Sequence, residues 1–215
     1  MKDEWFGDHL DLAKWGILHR LAVQHGFKQV DHIAFFSESK RPMIIIDEHG
    51  AETIAQVVWE TFRDWKRLEQ GAFGDVSVRI FDHEWPGGDR ADYVRDAHEW
   101  LNQINESRVV LLDPDTGIEP RCRGSSRHLK VTEVRQFWDG LARGNVLAIY
   151  QHAPRGVAMW EEAGRIRLAE TLRLDSSEVR IGRTEKPNRG CKVCSVKCFS
   201  LAKRAPLGGC GVRRA

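Results

Sequence analysis

The segment from Val109 to Pro120, VVLLDPDTGIEP, sets two carboxylates, Asp113 and Asp115, directly behind a short apolar run. Such a run reads as a buried strand, and open α/β sheets hold their ligands outside the C-terminal ends of their strands. Pro114 fixes φ after Asp113 and Gly117 permits a turn with positive φ, so the first carboxylate would be held rigidly at a sheet edge, facing a ligand or a metal. The same residues also suit a plain strand-to-loop reversal with Asp115 as its cap, because Asp, Pro and Gly are ordinary turn residues.

Other candidates share this placement after apolar runs. His152 in IYQHAPR follows an apolar strand directly, with Arg155 one turn away, and is the best general-base or ligand candidate among the nine histidines. Asp47 and His49 follow PMIIID, and Asp82, His83 and Glu84 follow VSVRIF. Asp47, Asp113 and Asp115 together could hold one or two Mg2+ or Mn2+ ions while His152 assists a water. Near the start, FGDHLDLAKWGIL places Asp8, Asp11 and Lys14 at i, i+3 and i+6, with Asp11 and Lys14 able to pair on a helix that caps the ligand edge. Toward the end, Cys191, Cys194 and Cys198 have the spacing C-x2-C-x3-C, with Cys210 twelve residues on. Four thiolates could bind zinc, although no histidine or second CxxC strengthens that reading.

The elements that must position these groups follow from periodicity. Helices are predicted over 9–25 behind Asp8 as N-cap, over 51–69, 89–104, 131–142 and 157–172; strands over 42–47, 76–81, 108–113 and 145–150. Strands alternating with helices predict a doubly wound, mostly parallel α/β sheet of Rossmann-like type, with helices on both faces. Its strand ends would share one rim, collecting Asp47, His49, Asp82, Asp113, Asp115 and His152. The eight tryptophans fall mostly on amphipathic helix faces and read as core.

Composition sets the limits. With 215 residues, 41% apolar and 30% charged, the chain suits one globular domain. No apolar stretch approaches the roughly 20 residues of a membrane helix, and the polar start MKDEWFGDH is no secretory signal, so a cytoplasmic protein without a membrane partner is expected. The net charge of +2 conceals ten Lys or Arg against one acid in residues 180–215, a balance of +9 that leaves −7 on the rest. Residues 1–180 read as a single α/β domain and 181–215 as a basic, Cys-rich tail, either disordered or non-native, or zinc-bound and in contact with nucleic acid. The sequence leaves the oligomeric state open.

The segments FGDHLDLAKWGIL, VVLLDPDTGIEP and VLAIYQH together resemble those of a family of uncharacterised bacterial proteins, over residues 5 to about 180. The order of a GD-x-x-D-x-x-K helix, an apolar strand ending D-x-H and an apolar strand ending D-P is more distantly similar to that of ribosomal-RNA adenine methyltransferases, which use S-adenosylmethionine. That resemblance implies a methyltransferase-like fold, with Asp8, Asp11, Lys14, Asp47 and His49 toward the cofactor and Asp113 accepting a hydrogen bond from a target amine. The chain departs from the pattern where Asp115 and Thr116 replace the Pro-Tyr pair, and where no glycine-rich loop follows Asp47. Three functions are therefore expected in order: a methyltransferase-like protein acting on or binding nucleic acid or a nucleotide; a metal-dependent phosphoesterase or nuclease; and a catalytically inactive binding module.

Overall fold

A computed structural model describes residues 9–35, 46–47, 50–51, 75–85, 89–120, 124–151, 159–183 and 197–203. Among these, helices α1 (His9–His25), α2 (Arg90–Leu101), α3 (Val131–Gly140) and α4 (Trp160–Leu172) alternate with strands β1 (Gln29–Ile33), β4 (Ser77–Phe81), β5 (Val109–Leu112), β6 (Val146–Gln151), β7 (Arg180–Arg183) and β8 (Lys197–Ala202). These six strands form one sheet in the order β4-β1-β5-β6-β8-β7. The first four are parallel, and β8 runs antiparallel between β6 and β7.

Parallel strands covered on both faces must be apolar on both faces, which is why VVLL and VLAIY are continuous hydrophobic runs. Alternate residues divide between two cores. Ile33, Val110, Leu112, Leu147 and Ile149 pack with α2, α3 and α4. Val30, Val109, Leu111, Val146, Ala148 and Tyr150 pack with Trp15, Leu18 and Ala22 of α1. The expected doubly wound, Rossmann-like α/β architecture with helices on both faces is therefore what the chain forms. Local signals set the boundaries: Gly26 ends α1 with φ +70°, and the Asp89 carboxylate accepts the Ala91 amide at 2.9 Å to cap α2. No helix among the described residues is long and apolar enough to cross a membrane.

Three expectations are corrected. PMIIID is not a strand of the parallel sheet: Ile46–Asp47 is β2, which pairs antiparallel with β3 (Gly50–Ala51) in a separate two-stranded sheet. Asp47 therefore does not end a strand of the parallel rim. The parallel strand between β4 and β5 is instead β1, QVDHI, whose apolar signal is broken by Asp31 and His32. Both are buried within the fold, where charged partners described below offset their burial. Finally, the sheet does not stop at residue 180, since β8 from the basic segment inserts between β6 and β7. Ala51, expected to open a helix, lies in β3, and the rest of the predicted 51–69 helix lies outside the described residues.

Candidate functional site

The strand order reverses between β1 and β5: β4 lies on one side of β1, and the chain then crosses to β5 on the other. In open α/β sheets the crevice beyond the carboxyl ends at such a reversal is where ligands bind. Ala34 and Phe35 leave β1 at this point, Asp82 leaves β4, and Asp113 is the first residue beyond β5.

Asp113 is fixed from three directions. Its backbone amide donates to the Ile33 carbonyl at 3.1 Å, prolonging the β1–β5 ladder by one residue. Lys14 Nζ, from α1, lies 2.5 Å from Oδ2, and His32 Nε2, from β1, lies 3.0 Å from the same oxygen. Lys14 and Asp113 are each 1% exposed and His32 0%. The Lys14 ammonium also stands 5.2 Å from the Tyr150 ring centroid, and the Trp15 ring meets His32 edge-on at 5.3 Å. Burial alone would push the Asp113 carboxyl up. The Lys14 ammonium and the His32 hydrogen bond outweigh it and hold the group well below the usual carboxylate range. The result is a carboxylate at the switch point whose ionised form is favoured, with both side-chain contacts on Oδ2.

The following loop is equally constrained. Gly117 has φ +83°, and a Cβ there would come within 2.5 Å of the Gln151 side-chain amide. Gln151, the last residue of β6, accepts the Ile118 amide at 2.8 Å. The Leu129 amide donates to the Gly117 carbonyl at 3.0 Å and the Glu119 amide to the Leu129 carbonyl at 2.9 Å. Glu119 then caps α3 by accepting the Val131 amide at 3.1 Å. DPDTGIEP is thus a rigid bridge from β5 to the end of β6 and the start of α3.

The sequence-derived candidates separate accordingly. Lys14 and Asp113, 99 positions apart, meet directly. Asp115 lies beyond Pro114, half-buried, with Oδ2 3.9 Å from exposed Arg127. Asp82, His83 and Glu84 are exposed on the rim after β4. The backbone places Asp11 in α1, Asp47 in β2 and Cys198 in β8, while Asp8, His49, His152, Cys191 and Cys194 lie outside the described residues. Among the described residues no three His, Cys, Asp or Glu side chains assemble as a metal site, so they offer Mg2+ or Mn2+ no ligand set. Two residues of the site escaped sequence reasoning. His32 was hidden in an unrecognised strand, although its apolar flanks in VDHIAFF carry the signal. Phe35, which enters the rim from β1, was missed for the same reason.

No family model matches the chain, and no curated protein matches it. Solved structures show loose likeness. A proposed methyltransferase from Thermobifida fusca is 16% identical over 91% of this chain and 82% of its own, with a TM-score of 0.39. A DUF574 family protein from Streptomyces avermitilis is 16% identical over 89% and 81%, also with a TM-score of 0.39. A proposed rRNA methylase from Clostridium thermocellum is 12% identical over 88% and 96%, with a TM-score of 0.34. With TM-scores below 0.5, these likenesses do not bear on the chemistry of the site.

Proposed function

We propose that the protein is an S-adenosylmethionine-dependent, methyltransferase-like protein whose ligand lies in the crevice between β1 and β5 and whose second partner is a nucleotide or nucleic acid. The observation that carries this reading is the position of Asp113, an ionised carboxylate held by Lys14 and His32 at the reversal of the strand order. The groups around the crevice fit the cofactor. S-adenosylmethionine carries a ribose with two hydroxyls and a positively charged sulfonium, so acceptors and acids suit it. Asp82, exposed after the neighbouring strand β4, stands where an acidic residue takes ribose hydroxyls in doubly wound folds. Its negative charge, with that of Glu84, also suits a cationic ligand.

When bound, S-adenosylmethionine supplies a methyl group to a nucleophile. In this reading Asp113 supplies a fixed acceptor through Oδ1, the oxygen that neither Lys14 nor His32 touches, and Asp115 borders the substrate on the far side of Pro114. Lys14 and His32 act as positioning residues, since both hold Asp113 through Oδ2. By the sequence resemblance, Asp8, Asp11, Asp47 and His49 belong to the cofactor side, while His152, which follows β6 in the chain, is the general-base candidate. The ten cations of residues 180–215 favour a polyanionic partner.

Calorimetric titration of the full chain with S-adenosylmethionine and S-adenosylhomocysteine tests the reading. Saturable binding in the micromolar range is expected, and no heat from either compound would overturn it. A second reading, a binding module without turnover, is favoured by the near-complete burial of Asp113. It predicts the same binding with no methyl transfer to any nucleotide or RNA substrate.

A further inference from the structure

Beyond DPDTGIEP the chain turns back toward the exits of β1 and β4. Residues 121–130, RCRGSSRHLK, hold four Arg or Lys and no acid. Within them Ser125 to His128 form a closed turn, in which the His128 amide donates to the Ser125 carbonyl at 3.1 Å and the Ser125 amide to His128 Nδ1 at 3.0 Å. The carbonyls on both sides of Arg127 are taken by remote partners. Trp85, which follows β4 and packs against Phe35 beyond β1 at 4.6 Å, donates its indole N–H to the Ser126 carbonyl at 3.2 Å. Arg90, at the start of α2, donates to the same carbonyl at 3.0 Å and to the His128 carbonyl at 2.7 Å, with its guanidinium over the Trp85 ring 4.4 Å from the centroid. A segment that follows β5 is thereby fastened to the chain leaving β4, and the backbone at Arg127 is fixed.

The Arg127 side chain itself stands in solvent. It is 62% exposed, and its Nη1 lies 3.9 Å from Asp115 Oδ2, too far for a hydrogen bond. That contact nevertheless puts the guanidinium beside the loop that leaves Asp113. Charge is thus divided along the rim: Asp82 and Glu84 are exposed after β4, while Arg127 and Lys130 are exposed after β5. An acidic end suits a cationic ligand and a basic end an anionic one. The openness of Arg127 suits an extended strand that makes several separate phosphate contacts, whereas a small nucleotide needs enclosure. The ten cations of residues 180–215 would attract the same partner.

We propose that Arg127 binds a backbone phosphate of a single-stranded nucleic acid whose target nucleotide enters the crevice, so that the strand lies on the β5 side of the rim and the cofactor on the β4 side. This rests on the nucleic-acid reading given above and adds a residue and a direction to it. A base must leave its stack to reach such a crevice, and a planar guanidinium on a rigid turn matches a phosphate with two parallel N–H donors.

Fluorescence anisotropy provides the test, with labelled single-stranded RNA and DNA of about 12 nucleotides and the full wild-type chain, Arg127→Gln and Arg143→Gln, over about 50–200 mM salt. Arg143 is an exposed control that precedes β6, at the opposite edge of the sheet. The wild type is expected to bind at least one strand, more weakly as salt rises. Arg127→Gln should weaken that binding about fivefold or more at the lowest salt and lower the slope of log affinity against log salt by about one. It should melt within about two degrees of wild type, because its ion pair is exposed. Arg143→Gln should bind within about twofold of wild type. Unaltered binding by Arg127→Gln overturns the role of Arg127 alone, and an equal loss in Arg143→Gln does so too, since it would mark diffuse attraction. Adenosine 5′-monophosphate that binds as tightly as the strand, with the same dependence on Arg127, would assign the residue to a free nucleotide and overturn the strand. If the wild type binds neither strand but does bind S-adenosylhomocysteine, the nucleic-acid half of the reading falls and this proposal with it; if it binds none of them, the whole reading falls.

Discussion

Two buried aspartates, Asp31 in β1 and Asp113 just beyond the neighbouring β5, lie three register positions apart and have been put to different uses. Asp31 sits inside β1, 0% exposed, with a hydrogen bond on one oxygen and a guanidinium against each. Gln29 Nε2 donates to Oδ1 at 2.6 Å, Arg79 Nε lies 3.5 Å from the same oxygen, and Arg108 Nε lies 2.6 Å from Oδ2. The Arg108 contact is off the N–H axis, an ion pair and not an aligned hydrogen bond. Its guanidinium also binds the Leu101 carbonyl and, at 2.8 Å each, those of Ile104 and Glu106, while Arg79 lies over the Trp100 ring at 4.0 Å. Asp31 is therefore the hub of a cross-link joining β1, β4 and the α2–β5 connection.

Asp113 lies at the mouth of the sheet and takes Lys14 and His32 on one oxygen only. The two carboxyls also titrate in opposite senses. Burial pushes Asp31 up, and Arg79 and Arg108 only partly offset it. At Asp113 the opposing charge wins. What separates a structural buried acid from a candidate functional one here is thus neither burial nor pairing. It is whether both oxygens face a cation, as at Asp31, or only one does, as at Asp113, and whether the carboxylate sits where the strand order reverses.

Breaking each cluster sharpens the contrast. Lys14→Met and Arg108→Met should each cost about 3–5 kcal/mol in urea denaturation, since each strands a buried carboxylate. Only Lys14→Met should also weaken nucleoside binding, measured at a temperature where both variants remain folded. Equal loss of binding in the two would mean that Asp113 has no special part. Adding Asp113→Leu to Lys14→Met should restore much of the lost stability while leaving binding impaired.

Gly117→Ala comes next. A side chain at φ +83° facing the Gln151 amide should cost about 1–3 kcal/mol, and it should perturb the Asp113 side of the sheet while the Asp31 cross-link keeps its amide-exchange protection. Uniform loss of protection over both regions would contradict a locally rigid bridge.

The pH dependence is a smaller effect and opposite at the two sites. Asp113 has a lowered pKa in the fold, so its stabilisation is present above the unfolded value of about 3.9 and fades as the pH falls through the folded one. Asp113→Asn should flatten that acid limb in unfolding measurements between about pH 6 and 2.5. Asp31 has a raised pKa, so its contribution declines as pH rises through the carboxylate range, and Asp31→Asn should steepen the net rise. The same slope change from both variants would refute the distinction. Smallest is Asp115→Asn, expected within about 0.5 kcal/mol of wild type by thermal unfolding, because its ion partner is exposed.

Much of this organisation is legible in the chain. VVLL and VLAIY announce buried parallel strands, α2 and α3 follow their amphipathic periods, and DPDTG marks the loop at the strand-order reversal. What could not be read has a physical cause in each case. β1 carries Asp31 and His32 at its centre, and a strand looks apolar only if its polar residues are not satisfied by remote partners. Arg108 and Asp113 lie far along the chain. PMIIID has the right hydropathy but pairs locally with Gly50–Ala51. KCFSLA lies in a segment whose cations and cysteines mask its period, yet it fills the slot between β6 and β7. Lys14 stood out by spacing, but its partner is 99 residues away and could be found only by folding.

The most direct test is amide hydrogen exchange on the full chain with and without S-adenosylhomocysteine. The account predicts added protection at the rim, in residues 33–35, 81–85 and 113–118, with no change at the Asp31–Arg108 cross-link. Binding that protects residues elsewhere and leaves 113–118 unaltered, or no protection anywhere at saturating ligand, would contradict it.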